Sequence, residues 1–220
     1  MKNIILEEKY ILEYILDILN DYKTKKITIN DYKYHHNTSY FDAPSVIRYG
    51  ILSLLELNAL GVKNFSQEVL DIMSDTDSHI NGTNAISLSV VGLKDLYHNE
   101  SEYSPYSSTQ VDFLISNEIK AYRSTLHYGN EFLCYNKIEN NNIRSLDIRL
   151  LKLASEIKDN QRRNNSDSIR TLIDKYNQLK NIAITLKTMK LNIPVREMSN
   201  NNNYGLDIDK LSKTPKLVLK

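Results

Sequence analysis

Apolar residues recur at helical spacing at both ends of the chain and alternate with polar ones through its middle. Residues 4–22 predict an amphipathic helix, with Ile4, Ile5, Ile11, Leu12, Ile15, Leu16 and Leu19 on one stripe and Glu7, Glu8, Glu13, Asp17 and Asp21 elsewhere. Lys26-Ile27-Thr28-Ile29 alternates as a short strand, and a second extended piece leads into His36. Pro44 suits a first helical turn and Asp42 stands where a cap is needed, with Val46, Ile47, Ile51, Leu54 and Leu55 as the inward positions. A short helix is predicted over 65–73 and a turn-rich stretch from Asp75 to Asn84. Strands are predicted over Ala85–Val91, Val111–Ile115 and Glu131–Tyr135, with a tyrosine- and serine-rich loop from Leu96 to Gln110. Glu118 to Leu126 fits neither period.

From Ile143 onward the pattern reads as helix. Ile148, Leu150, Leu151, Leu153, Ala154 and Ile157 form one stripe, and Asn160 to Asn165 interrupts it. Ser166 is placed to cap a second helix, with Ile169, Leu172, Ile173, Tyr176, Leu179, Ala183 and Leu186 inward. Pro194 closes the helical region, Asn200 to Asn203 reads as a linker, and Leu211 to Lys220 as a tail or an edge strand. The fold class is α+β, in four parts: an N-terminal amphipathic helix (1–26), a mixed core (27–145), a helical region (146–192) and a flexible tail (193–220).

Composition narrows the classes. The chain has 220 residues, 41% of them apolar and 25% charged, enough to bury a core. No apolar run approaches the roughly 20 residues that span a bilayer, and Glu7 and Glu8 spoil the start as a signal peptide. Cytosolic conditions, or delivery into a target cell, suit such a chain. One cysteine, Cys134, excludes an intramolecular disulfide framework and a thiolate metal cluster. Net charge is +1 but uneven. Residues 1–145 hold 13 Lys and Arg against 19 Asp and Glu, and residues 146–220 hold 15 against 8. The basic third could face nucleic acid or be a solvated helix face beside an acidic body.

Three groups carry candidate chemistry: His36 with Thr38, Ser87 with Ser89, and Glu131. Taken singly, each has a plain structural reading, as a half-buried strand histidine, the wet face of a strand and a solvated strand start. Their order is what draws attention. His36-Asn37-Thr38 ends an extended run, Pro44-Ser45-Val46-Ile47-Arg48-Tyr49-Gly50 follows, then Ile86-Ser87-Leu88-Ser89 and Gly129-Asn130-Glu131-Phe132-Leu133. This order resembles the ADP-ribosyltransferase superfamily, in its histidine-type branch with the DNA-modifying DarT toxins, across roughly residues 30–145.

The resemblance implies a split β-sheet core flanked by helices, with NAD as co-substrate and no metal. Glu131 would stabilise an oxocarbenium-like ribose and orient its hydroxyl, and His36 would hold a ribose hydroxyl. Asn37, Thr38, Gly50, Ser87 and Ser89 would line the cofactor side, with backbone near Gly50 approaching it closely. Tyr122, Arg123, His127 and Tyr128 fall where such proteins recognise their acceptor. The implied activity is transfer of ADP-ribose from NAD to a nucleic acid or protein by a toxin or effector. An antitoxin or immunity partner is the partner it implies.

The chain also departs from that pattern. No arginine lies between Ser74 and Ala85, where only His79 is basic, and Gly129 stands where arginine-modifying members carry a second acid. Glu118 is the runner-up acid, in a setting that reads as a helix start. A metal site built on His35 and His36 with His98 or Asp31 is disfavoured, because neighbours on a strand point to opposite faces. Two rivals stand beside the enzyme reading. One is a non-catalytic binding module on a degenerate version of the fold, using the basic C-terminal helices. The other is an RNA phosphate transferase, which lacks a convincing basic cluster around Arg123 and His127.

Overall fold

The described strands assemble into one nine-stranded open sheet and one separate two-stranded sheet. The computed structural model describes residues 3–62, 84–90, 110–124, 131–163, 165–199 and 202–220. The predicted helix at 65–73, the turn before Asn84 and most of the Leu96–Gln110 loop lie outside the described residues. In chain order the strands are β1 (Asn3–Leu6), β2 (Lys23–Lys26), β3 (Tyr32–Ser39), β4 (Ile86–Val90), β5 (Gln110–Ser116), β6 (Tyr122–Arg123), β7 (Glu131–Cys134), β8 (Ile143–Ile148), β9 (Val195–Ser199), β10 (Asn202–Leu206) and β11 (Lys216–Leu219). The six described α-helices are α1 (Glu8–Tyr22), α2 (Ala43–Tyr49), α3 (Leu54–Ala59), α4 (Leu150–Arg162), α5 (Ser166–Thr188) and α6 (Ile208–Lys213). The large sheet runs β2-β10-β9-β8-β5-β3-β4-β7-β6, antiparallel throughout except between β8 and β9. The structure is thus mixed α+β.

Register assigns the two faces of this sheet. Tyr34, His36 and Thr38 lie opposite Ile115, Phe113 and Val111, and Leu146 lies opposite both Phe113 and Val195. Buried members of this set join one core with the helix stripes Ile11, Ile15 and Ile18 of α1, Leu153 and Ile157 of α4, and Ile169, Leu172 and Ile173 of α5. The stripes recur every three or four residues, as a helix covering a sheet requires. The other face is polar. Asn37, Asp112, Asp147 and Arg196 stand opposite one another across β3, β5, β8 and β9. Asp112, Asp147 and Arg196 are each buried. Arg196 donates to Asp147 from Nε at 2.7 Å and from Nη2 at 2.5 Å, and Ser145 Oγ donates to the same carboxylate at 2.8 Å. A buried charge survives in a sheet only with partners of this kind.

Several expectations are corrected. Ile4 and Ile5 belong to β1, and the N-terminal helix starts at Glu8. The short strand sits at Lys23–Lys26, a little before its predicted place. Ile143–Ile148 is a strand, not the start of a helix, because it is flanked by β5 and β9 and buried on both faces. Asn165, not Ser166, caps α5, its side chain accepting from the Ser168 amide. Asp42 does occupy the cap position of α2, but its carboxylate accepts from Ser39 Oγ rather than from helix amides. Residues 193–220 are no flexible tail. They supply β9, β10, α6 and β11, and bury Val195, Leu206, Leu211 and Leu217.

Glu197 on β9 accepts from the Leu150 and Leu151 amides at 2.6 and 3.1 Å, so it caps α4 from a strand 47 positions downstream. Burial pushes its carboxyl up to about 7, against the two amide bonds, which favour the charged form. The folded chain therefore holds a proton that the unfolded chain has released between about pH 4.5 and 7, and stability falls as pH rises through that window. Unfolding free energies from urea curves measured across this range should fall more steeply for the native chain than for Glu197→Gln, by about 3 kcal/mol in total. A second expectation concerns Tyr176, whose hydroxyl is buried with no hydrogen-bond partner. Tyr176→Phe should raise stability by up to about 1 kcal/mol, read from the same urea curves.

Candidate functional site

β3 and β4 are joined by two rungs, Tyr34↔Val90 and His35↔Ser89. Beyond His35 no rung connects them, although β3 continues to Ser39 along β5 and β4 reaches back to Ile86 along β7. The sheet opens at this point, and His36, Ser87 and Glu131 stand around the opening.

Ser87 joins the other two. Its backbone carbonyl is 3.0 Å from His36 Nδ1, and its hydroxyl donates to Glu131 Oε1 at 2.6 Å. A carbonyl only accepts, so His36 carries its proton on Nδ1 and presents a lone pair on Nε2. The residue as a whole is partly exposed. Even so, the protein around it lowers its pKa below the ordinary 6.5, through burial first and the neighbouring His35 second, with the Ser87 bond opposing. The ring is therefore neutral at neutral pH. Glu131 Oε2 is enclosed and accepts no hydrogen bond. Two acceptors are thus left beside Ser87, His36 Nε2 and Glu131 Oε2, and by register the His36 side chain starts from the face of the sheet opposite to that of Glu131.

The other expected residues divide. Ser89 lies opposite both His35 and Glu131, on the Glu131 face. Asn37 and Thr38 follow His36 along the open edge, on opposite faces. Gly50 has another job. Its φ is +82°, its amide donates to the Val46 carbonyl at 2.8 Å, and a Cβ there would stand 2.4 Å from the Ile138 carbonyl oxygen. Ile51 and Ile138 then exchange two backbone hydrogen bonds. The space beside Gly50 is filled by the protein's own backbone, so the expected close approach of a cofactor there is corrected. Gly50→Ala should cost about 2 kcal/mol or more in stability, from backbone strain and the clash, seen as a lowered thermal midpoint.

Tyr122 and Arg123 form β6 at the edge of the sheet, beside Leu133 and Phe132. His127 and Tyr128 lie outside the described residues. By register Tyr122 shares the face of Leu133, Ser87 and Glu131. Its ring is 6.1 Å from that of Tyr135, at 56°, and both rings are about half exposed. Lys120 Nζ stands 5.5 Å from the Tyr122 ring. Tyr135 and Lys120 are the residues that sequence reasoning missed, and the alternation Glu131-x-Leu133-x-Tyr135 was the signal that could have placed Tyr135 on this face. Glu118 is not a rival acid at the opening. It is well exposed beyond the end of β5, 3.7 Å from Arg144. Among the described residues no group of three or more His, Cys, Asp or Glu is placed to hold a metal. No protein-family model, curated protein or solved structure matches the chain.

Proposed function

We propose that the chain is an NAD-dependent mono-ADP-ribosyltransferase, a toxin or effector that passes ADP-ribose to a nucleic acid or protein and releases nicotinamide. The observation that carries this reading is the pair of acceptors that Ser87 holds at the opening, His36 Nε2 and Glu131 Oε2. A ribose presents hydroxyl donors, which is what each of these acceptors lacks. The order of the motifs along the chain supports the same reading, as does the opening of the sheet between the strands that carry them.

In this reaction the bond between nicotinamide nitrogen and the anomeric carbon breaks, and its electron pair leaves with the nicotinamide. Glu131 accepts a hydrogen bond from the ribose and places negative charge where the sugar turns cationic. Ser87 holds Glu131 through Oε1 and so leaves Oε2 for the sugar. His36, neutral and with its tautomer set by the Ser87 carbonyl, accepts a second hydroxyl. The exposed ring of Tyr122 stands on the acceptor side. None of the helices searched among the described residues is long and apolar enough to cross a membrane. An antitoxin or immunity partner would accompany such an activity.

Incubation with NAD labelled in its adenylate part should transfer label to a macromolecule or release free nicotinamide. Glu131→Gln should lower that rate by about 10²–10³-fold with an unchanged unfolding curve. A Glu131→Gln protein as active as the native chain would refute the assignment. A native chain that binds no NAD would favour the binding-module reading instead.

A further inference from the structure

His35 is the last residue of β3 with a rung to β4, and its neighbour His36 is the first without one. Its ring is 3% exposed, and Nδ1 lies 3.1 Å from Asp112 Oδ1 on β5. Asp112, also 3% exposed, stands opposite Asn37, two positions further along β3. The bond therefore runs diagonally, from the last closed rung to the level where the sheet is open.

The surroundings make Asp112 depend on this bond. Its other oxygen has no hydrogen-bond partner. Its cross-strand neighbour on β8 is Asp147, a second buried carboxylate. Arg196 is committed to Asp147 through two hydrogen bonds, and the charge of Arg149 acts on both carboxylates. His35 is the group that hydrogen-bonds Asp112. Without it, a buried carboxyl facing another is left uncompensated, and it must turn neutral or move. His35 sits on β3, which borders the opening, and Asp112 on β5, which backs it, so the bond between them bears on how the β3 edge lies against Ser87. No ladder bond between β3 and β4 resists a shift of that edge beyond His35.

We propose that His35 and Asp112 are positioning residues for His36, their hydrogen bond setting the β3 edge so that the His36 ring reaches the Ser87 carbonyl. The relevance of this role to catalysis rests on the transferase reading, but the role itself is visible in the imidazole. The test is nitrogen NMR of the histidine side chains in the full chain, followed through a pH titration. In the native chain, His36 should show the Nδ1-protonated tautomer and titrate below 6.5. Asp112→Asn keeps an oxygen acceptor for His35 and should preserve both signatures. Asp112→Leu removes it, so His36 should show mixed tautomers and titrate closer to 6.5.

The tautomer is the diagnostic signature, because removing Asp112 also alters the field that His35 exerts on His36 and so can move the midpoint without releasing the ring. A folded Asp112→Leu chain whose His36 keeps its Nδ1-protonated tautomer would overturn the proposal. Should Asp112→Leu fail to fold, His35→Gln against His35→Leu poses the same question, because only glutamine retains a donor for Asp112. Failure of the transferase reading would instead show as no turnover of NAD by the native chain, which leaves the NMR result standing.

Discussion

Among the described residues, β3 is held to β5 at seven positions and to β4 at two, and the candidate site depends on that inequality. The β5 ladder gives β3 a rigid back, while the short contact with β4 lets the two strands part after His35. Inside a closed ladder, the backbone groups of Asn37 and Thr38 and the Ser87 carbonyl would be consumed by strand pairing. The opening spares the Ser87 carbonyl for His36, and the Ser87 hydroxyl does the rest by reaching Glu131. One serine thus sets the tautomer of the histidine and decides which carboxylate oxygen is left over.

The C-terminal segment is the second structural dependency. β9 lies parallel to β8 and brings Arg196 to Asp147 and Glu197 to the first amides of α4. This one strand thereby supplies the partner of one buried acid, Asp147, and carries a second, Glu197, which the first amides of α4 satisfy. Removing either partner leaves a desolvated charge, which costs far more than the intact arrangement contributes. The polar row ends at Asp112, whose carboxylate is bonded by His35 at the border of the opening. The chain beyond residue 193 is therefore part of what supports β3, through β8 and β5.

Periodicity made α1, α5, β4, β5 and β7 legible, because each hides one face and shows another, and a local pattern records that. β8 escaped this logic. It buries both faces and carries Asp147 inside, so its string of mixed residues matched a helix about as well as a strand. β9 and β10 escaped for the same reason, since their stability comes from neighbours and not from alternation. At the site, His36, Ser87 and Glu131 were chosen by type and order, and Ser87 bonds each of the other two. Gly50 was chosen on conformational freedom, which the structure uses for contact with Ile138 instead.

By itself, the sequence determined which residues have the chemistry: a histidine that can be neutral, a carboxylate, and serines on an alternating strand. Side-chain type and strand period are local properties, and they are written in consecutive positions. Only the tertiary structure decided that residues 51 and 44 positions apart would be bonded through Ser87. It also decided that Glu131 Oε2 would be left without a partner and that Tyr135 would join Tyr122 on the same face. These depend on strand register and on where a ladder stops, and no stretch of consecutive residues encodes where two distant strands cease to pair.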